Sequence, residues 1–461
     1  MIESLMKKFI YESKFFLRIG VPIFGSQLSY MIMHTTDTIV SGRYGSEELA
    51  GLVLAGAFTF PIYMLFQGIM FAITPIVAQL YGSKDYLEIG LKMRQIFWIA
   101  LFIALSIFFI FVFLSKTLLY VPLDKNILII SAEYLKSVSV GMFFYIMFRF
   151  LSSYSEGMTL TLPVFFVVLF GAIINIPLDI IFAFGFFGFP EMGSEGCGYA
   201  TSLVSMIMFF TMLKIIFSSE KYKETELFRE FSGPSLKVSK EILKLGIPIG
   251  IGIFAEMTMF SGAAIIIGQL GDKILSGHAI ALNIASIVFM LPLAIGLAGS
   301  TRVGNLLGEG KFLDAKYSSY VGVLLCFFGA LLNMLILLLF RESFASIYSN
   351  DLDVISIAIS LLLYAAIFQI PDGIQMGSLG ALRGYKDTFA PMIFIIISYW
   401  IFAIPLGYYL TNFGFFEPMG AAGMWVSMIL GLILFSIFIF IRLKLVSSRY
   451  INNFNNIRYK L

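Results

Sequence analysis

Charged residues are scarce in this sequence: they make up 13% of its 461 residues, against roughly 25% in ordinary soluble domains. Hydrophobic residues make up 59%, so the composition predicts an integral membrane protein. The net charge of +3 is too small to indicate a nucleic-acid partner. Only two cysteines occur, Cys197 and Cys326, in different halves of the chain. They indicate neither a disulfide framework nor a thiolate metal site.

Two further signals are missing. The first 20 residues carry scattered charges and no small-residue cleavage site, so no cleavable signal sequence is expected. No P-loop sequence occurs either, so an ATP-driven pump would need another subunit. We expect no cofactor and no enzymatic activity.

Long hydrophobic runs dominate the chain. A membrane-crossing helix needs about 20 mostly apolar residues, and this criterion predicts twelve spans. The polar stretch 218–241 separates two groups of six. We therefore predict an all-α polytopic membrane protein with two pseudo-twofold-related six-helix bundles, 1–217 and 242–461, a cytoplasmic linker over 218–241 and a central cavity. The predicted spans are 15–40, 50–80, 94–114, 130–150, 160–184, 195–217, 242–268, 276–305, 316–340, 353–382, 390–412 and 420–442.

The basic residues are distributed unevenly along the chain. Of the 31 Lys and Arg residues, 25 fall at the termini, in the even-numbered connections between spans, or in the last four span residues beside them, and 5 fall in the odd-numbered connections. Because positive charge marks the cytoplasmic side, both termini are predicted to be cytoplasmic. An even number of spans agrees with this orientation.

The two halves of the chain resemble each other. Residues 17–82 align without a gap on residues 243–308, with nineteen of 66 positions identical. A shift by one group of six spans keeps the orientation, so the repeats are parallel and related by an axis along the membrane normal. This architecture predicts a substrate path between halves that open to either side in turn.

Four acidic residues lie in the interiors of predicted spans: Asp37, Asp179, Glu256 and Asp372. No Lys or Arg is predicted at equal depth, so the buried charge is expected to be of one sign. Burying such a charge costs about 3 kcal/mol or more unless it faces water or a partner. The acids could hold protons, bind metal cations or bind a cationic solute, and all three roles indicate cation handling. A hydrogen-bonded structural acid is the competing interpretation.

Asp372 stands between Pro371 and Gly373 in an otherwise apolar span. Proline removes a helix hydrogen bond and frees a carbonyl, and membranes tolerate broken helices only where protein or water satisfies the freed groups. We therefore predict an oxygen-rich cation site at Asp372, where the helix can bend. A kink beside an incidental acid is the alternative.

Other side chains could complete these sites. Asn175 and Asp179 are four residues apart, hence on one helix face, and could line a polar pocket in the first half. His278 could transfer protons near neutral pH, although a lone histidine at a span end is more often simply hydrogen-bonded. Aromatic faces attract organic cations, which makes two residues near Glu256 candidates for a substrate cavity, namely Phe260 and Phe289.

Seven motifs occur together over nearly the whole chain: TDTIVSG, INIPLDIIFAFG, PEMGSEGCGYAT, GIPIGIGIFAEMTMF, GHAIALNIASIVFMLPLAIG, TRVGNLLGEG and LRGYKDT. In these motifs the sequence resembles the multidrug and toxic compound extrusion (MATE) transporters, specifically the bacterial NorM type. The resemblance implies secondary antiport, in which inward movement of Na+ or H+ drives export of lipophilic, often cationic drugs.

The resemblance also implies roles for particular residues. In NorM-type members the acids of FAEMT and of Q-x-x-D are linked to cation binding, which makes Glu256 and Asp372 a Na+ candidate site and ties Asp37 to coupling. Two positions depart from the family pattern: Phe368 stands where Tyr is common, and Asp179 stands where Asn is common. The remaining cavity candidates are Asn283, Gln369 and Gln375.

Three other functions compete with the exporter. A flippase for a lipid-linked precursor should have basic residues deep in its cavity, and none is predicted. An intramembrane aspartyl protease is suggested only by GQLGD, which ends at Asp272 in a short outer loop. A channel is disfavoured by twofold repeats with spans broken at Gly and Pro. We expect a monomer in a bacterial plasma membrane, with small organic cations and the lipid bilayer as its partners.

Overall fold

The computed structural model describes residues 2–414 and 417–458, with side chains described over 6–414 and 417–452. Every regular element in these residues is helical. Two short 3-10 turns, Leu118–Tyr120 and Phe186–Gly188, and a π-helical segment, Ile396–Ala403, join the α-helices. The α-helices are α1 Ile2–Tyr44, α2 Ser46–Met70, α3 Ile73–Gly82, α4 Tyr86–Thr117, α5 Lys125–Gly157, α6 Thr161–Phe184, α7 Gly193–Ser218, α8 Glu220–Lys223, α9 Leu236–Gly268, α10 Asp272–Gly308, α11 Phe312–Tyr348, α12 Leu352–Gly384, α13 Phe389–Ile395, α14 Ile404–Asn412 and α15 Ala421–Arg458.

Twelve helical stretches of the described chain are long and apolar enough to cross a membrane. The predicted all-α class and the predicted number of spans are therefore confirmed. Most helices extend beyond the predicted bounds: α11, predicted over 316–340, covers 37 residues, or about 55 Å at the α-helical rise. Because the hydrocarbon core is only about 30 Å thick, such helices must tilt or project beyond it.

The second predicted span is divided into α2 and α3. Pro75 has no N–H with which to continue the helical ladder to the carbonyl of Phe71. The chain makes a turn at Phe71 and Ala72 before α3 begins at Ile73. The break follows directly from the proline chemistry.

Pro371, unlike Pro75, does not divide its helix, because α12 continues through that residue. The glycines that follow serve close packing instead. A Cβ at Gly377 would lie 2.6 Å from the Cα of Val323 on α11, and one at Gly380 would overlap the carbonyl oxygen of Gly296 on α10. The small residues therefore let α12 approach its neighbours, and the chain is helical on both sides of Pro371.

Packing divides the chain into two compact units that we call the N-unit, Gly25–Gly250, and the C-unit, which contains the residues up to Phe24 and those from Ile251 onward. The divisions fall inside α1 and α9, after Phe24 and after Gly250, in each case two residues beyond a proline, Pro22 or Pro248. They differ from the predicted bundles 1–217 and 242–461. The start of α1 packs with helices of the second half, and the start of α9 packs with helices of the first half.

Specific contacts hold the start of α9 in the N-unit. A Cβ at Gly246 would lie 2.8 Å from the Ile69 carbonyl oxygen, and Glu241 forms an ion pair with Lys92 at 2.7 Å. The start of α1 is held in the C-unit by Glu12, whose carboxylate pairs with Arg302.

The polar stretch 218–241 is packed into the N-unit over much of its length. The side chain of Tyr222 is buried and its hydroxyl bonds the Ser155 hydroxyl at 2.6 Å. Thr225 is also buried and bonds the Tyr154 hydroxyl at 2.7 Å. Burial raises the pKa of the Tyr222 hydroxyl above its usual value.

Candidate functional site

The C-unit brings two of the predicted acids together. Glu256 on α9 is half-buried and Asp372 on α12 is 4% exposed. Glu256 interacts electrostatically with Asp372. On α12, Asp372 lies three residues from both Gln369 and Gln375, and this spacing places all three polar side chains near one helix face.

A chain of hydrogen bonds fixes Glu256. The amide nitrogen Nε2 of Gln375 donates to Glu256 Oε1 at 3.2 Å, and the hydroxyl of Tyr399 donates to Gln375 Oε1 at 3.0 Å. Tyr399 lies in the π-helical segment of the eleventh span, a type of irregularity frequent at functional sites. Sequence analysis missed this residue. The nearby Pro405, which cannot bond the carbonyl of Ile401, was the only local signal of an irregular helix.

The amide of Gln369, on the same face of α12, also has a hydrogen-bond partner. Asn333 Nδ2 donates to Gln369 Oε1 at 3.3 Å and to the carbonyl oxygen of Val288 at 2.7 Å. That carbonyl lies four residues before Pro292, which has no N–H to offer it. Asn333, also missed by sequence analysis, therefore satisfies a carbonyl that a proline leaves free.

Aromatic side chains adjoin the acid pair. The Phe368 ring lies 6.3 Å from that of Phe260 and 6.4 Å from that of Trp425. The Trp425 indole donates to His278 Nδ1 at 3.2 Å. Because an indole nitrogen can only donate, His278 Nδ1 is the acceptor of this bond.

The two remaining candidates on α10, Phe289 and Asn283, lie in different surroundings. Phe289 is half-buried and packs against the C-unit core. Asn283 is exposed and accepts a hydrogen bond from the Tyr348 hydroxyl at 2.8 Å. The structure therefore gives Asn283 a partner other than the acid pair.

The N-unit holds a separate polar cluster built from α1, α6 and α7. Asp37 Oδ2 accepts from the Thr201 hydroxyl at 3.2 Å, and Asn175 Nδ2 donates to Asp179 Oδ1 at 3.2 Å. Asp37 is 5% exposed, whereas Asn175 and Asp179 are fully buried. The carboxylates of Asp37 and Asp179 also interact electrostatically. Binding of a proton or a cation would relieve the repulsion between two buried carboxylates.

This N-unit cluster is rich in oxygens without donors. Three buried oxygens receive no hydrogen bond within the described chain: Asp37 Oδ1, Asn175 Oδ1 and Asp179 Oδ2. Unsatisfied buried acceptors are costly, and oxygen is the ligand that hard cations prefer. The cluster can therefore take up a proton or a small cation. Thr201 was absent from the predicted site because its helix, α7, is distant in sequence.

The acid pair of the C-unit has no acidic counterpart in the N-unit. The alignment of 17–82 on 243–308 places Tyr30 at the position of Glu256. Helices α5 and α12 both have 33 residues and an N-terminal aspartate cap, which places Tyr145 at the position of Asp372. The Tyr30 and Tyr145 rings pack edge-on at 5.8 Å. Conversely, Ala263 occupies the position equivalent to Asp37.

The expectation that buried charge has one sign is wrong. Arg149, Arg302 and Arg383 are all at most 6% exposed. Arg149 lies 3.7 Å from Glu156, and Arg302 bonds Glu12 at 2.6 and 2.9 Å. Arg383 interacts electrostatically with Glu256. Sequence analysis failed because these partners lie on helices whose true lengths and packing it could not show.

Comparison with known proteins identifies the architecture. One family model, described as MatE, matches the chain twice, at residues 22–181 and 248–409. The chain belongs to the MatE family. The two matches begin 226 positions apart, the offset that relates the repeats. The resemblance to MATE transporters of the NorM type is thereby confirmed.

Relatives match this MatE chain over nearly its whole length. The multidrug resistance protein NorM of Photobacterium profundum is 34% identical over 445 residues, which cover 96% of this chain and 98% of the relative. The multidrug resistance protein PmpM of Pseudomonas aeruginosa is 35% identical over 442 residues, covering 95% and 93%.

Solved structures share the fold of this MatE chain. The eukaryotic MATE transporter AtDTX14 matches with a TM-score of 0.86 at 19% identity, covering 96% of this chain and 99% of that one. A MATE protein in a straight conformation matches with a TM-score of 0.87 at 17% identity, covering 96% and 97%. At these identities the likeness concerns the fold alone.

Proposed function

We propose that this MatE protein exports lipophilic organic cations in exchange for Na+ or H+. The names of its NorM and PmpM relatives, which describe multidrug resistance proteins, support the export of drugs. The observation that carries the coupling is the meeting of Glu256 and Asp372 in one C-unit site, with Gln375 bonded to the first acid. Two carboxylates that interact in a buried site disfavour double ionisation, so an incoming cation or proton stabilises the pair.

The exchange follows from charge competition. With the site open to the outside, Na+ or H+ neutralises the acids and weakens the attraction for a cationic drug. After the transporter opens to the cytoplasm, loss of the ion restores the negative charge and recruits the next drug molecule. Phe260 and Phe368, whose rings pack together, supply aromatic faces for an organic cation.

The N-unit cluster of Asp37, Asn175 and Asp179 is a second ion-site candidate. Its three donor-free buried oxygens favour binding of a proton or a Na+ ion there as well. We propose that Asp37 contributes to coupling from this cluster, with the C-unit acid pair as the principal site.

The proposed setting is the bacterial inner membrane, with a monomer and both termini in the cytoplasm. The concentration of Lys and Arg in the even-numbered connections supports this orientation. A flippase for a phosphate-bearing lipid is disfavoured, because the three buried arginines discussed above each interact with an acidic side chain.

The proposal is tested with purified protein in liposomes. Ethidium efflux is measured first under an imposed Na+ gradient and then under a pH gradient, for the wild type and for Glu256→Gln and Asp372→Asn. We expect ion-driven efflux in the wild type and its loss in both variants, with normal elution on size exclusion. Asp353→Asn, at an exposed position, is the matched control. Full ion-driven efflux by both variants would contradict the C-unit assignment, and parallel assays of Asp37→Asn and Asp179→Asn would then identify the N-unit cluster.

A further inference from the structure

We propose that Tyr399 is a positioning residue for the coupling site, acting on Glu256 through Gln375. The inference rests on the proposed function, in which Glu256 binds the coupling ion. Tyr399 itself does not contact Glu256 in the described hydrogen-bond network. Its hydroxyl reaches the carboxylate only through the intervening amide, at 3.0 Å to Gln375 Oε1 and then 3.2 Å from Gln375 Nε2 to Glu256 Oε1.

The Gln375 amide can help an ionised Glu256 only in one orientation. Its NH2 group must face the carboxylate, since two facing oxygens would repel, and its oxygen must then face the other way. The oxygen of Gln375 is buried, because the whole side chain has no exposed surface. In that orientation it needs a donor, and the Tyr399 hydroxyl supplies one. Without the hydroxyl the amide oxygen loses this donor, and the amide is then held only from its nitrogen, which contacts Glu256 Oε1 and Met376 Sδ in the described chain.

The position of Tyr399 is itself tightly determined. The side chain is 1% exposed, and its ring packs edge-on against Phe435 at 5.8 Å. The next residue, Trp400, donates its indole N–H to the backbone carbonyl of Ala255 at 3.0 Å. The π-helical segment therefore contacts α9 in two ways. It bonds the backbone beside Glu256 directly and bonds its side chain through Gln375.

This arrangement predicts a specific kinetic effect. A fixed N–H beside one carboxylate oxygen orients the other oxygen for the incoming ion. Ion binding then does not have to order the Glu256 side chain, which would cost free energy. Loss of the Tyr399 hydroxyl should weaken apparent ion affinity while leaving the ion-binding carboxylates in place. The maximal rate at saturating ion should change little.

The test measures ethidium efflux from proteoliposomes against the concentration of the driving ion, Na+ or H+, as identified with the wild type. For Tyr399→Phe we expect the half-saturating ion concentration to rise about fivefold, the loss expected for one hydrogen bond, with the maximal rate within about twofold. Gln375→Met should give a similar rise. The double variant should show no further rise, because both substitutions interrupt the same series of hydrogen bonds from Tyr399 to Glu256. Tyr408→Phe, at an exposed tyrosine of the same span, is the matched control.

The outcomes separate the two proposals. If the wild type shows no ion-driven efflux, the proposed function fails. If Glu256→Gln and Asp372→Asn both retain full ion-driven efflux, the C-unit assignment on which the positioning role rests fails. If the wild type is coupled and Tyr399→Phe keeps the wild-type half-saturating concentration, the positioning role is overturned. Additive effects of Tyr399→Phe and Gln375→Met would also overturn it. Should Tyr399→Phe fail to fold, Gln375→Met alone decides, because an unchanged half-saturating concentration in that variant contradicts the relay.

Discussion

Tyr145 and Asp372 occupy the same position in two helices of equal length, α5 and α12, each of which follows an aspartate cap. In the N-unit this position is a tyrosine that accepts hydrogen bonds from Tyr63 at 2.8 Å and from Gln67 at 3.3 Å. In the C-unit it is an acid within electrostatic reach of Glu256. Duplication preserved the backbone at this position, whereas the chemistry of the two halves diverged.

The first prediction compares these two equivalent positions. Asp372→Asn should abolish ion-driven efflux, because the C-unit site loses half of its negative charge. Tyr145→Phe should leave the half-saturating ion concentration unchanged and lower the free energy of unfolding by about 1–3 kcal/mol, because the two hydrogen bonds to its hydroxyl are lost. Efflux in proteoliposomes and denaturant unfolding in mixed micelles measure the two effects. An equal loss of ion dependence in both variants would show that the two halves share one function at this position.

The second prediction concerns the buried ion pair of Glu12 and Arg302. Its side chains are 4% and 8% exposed, and Ser318 also donates to Glu12 at 3.0 Å. Glu12→Leu leaves a buried guanidinium without its carboxylate, so it should lower the free energy of unfolding by about 3–5 kcal/mol. The neighbouring pair of Lys8 and Asp314 is roughly 40% exposed, so Asp314→Asn should cost less than about 1 kcal/mol. Similar losses for the two variants would contradict this assignment.

The third prediction concerns the crossing of α10 and α12. A methyl group at Gly380 would overlap the carbonyl oxygen of Gly296, whereas a methyl group at Gly56 would meet no atom within 4 Å. Gly380→Ala should therefore force the helices apart and lower the melting temperature by several degrees, as overpacking costs about 1–3 kcal/mol. Gly56→Ala, inside α2, should leave the melting temperature unchanged or raise it. An unchanged melting temperature for Gly380→Ala would show that the crossing is looser than described.

The fourth prediction tests the link between Asn333 and Pro292. Asn333→Ala removes the donor to the Val288 carbonyl, which should lower the free energy of unfolding by about 1–3 kcal/mol. Adding Pro292→Ala supplies a backbone N–H that can bond the same carbonyl along the helix. The double variant should recover part of the loss, as measured by a double-mutant cycle. Strictly additive losses would show that the side chain acts elsewhere.

Sequence analysis found the acids of the candidate site but only part of their surroundings. Glu256 and Asp372 are conspicuous because each is a lone charge in an apolar run. Tyr399 and Asn333 were missed because both side chains are uncharged. Burying them in a span does not carry the free-energy cost of burying a charge, so neither stands out in the sequence. The buried arginines were misjudged for a related reason: Arg302 depends on Glu12, 290 positions away, and no local pattern reports such a pair.

The sequence by itself determined the helical class, the twelve spans and the duplication, because these depend on local hydrophobicity and on residue identities that repeat at a fixed offset. Only the tertiary structure decided which helix segments form each unit and that α12 runs unbroken through Pro371. It also determined which amide or hydroxyl bonds Glu256, Asp37 and Asp179. These features depend on close approach between segments far apart in the chain, where a glycine contact or a single hydrogen bond is set by packing and not by the local sequence.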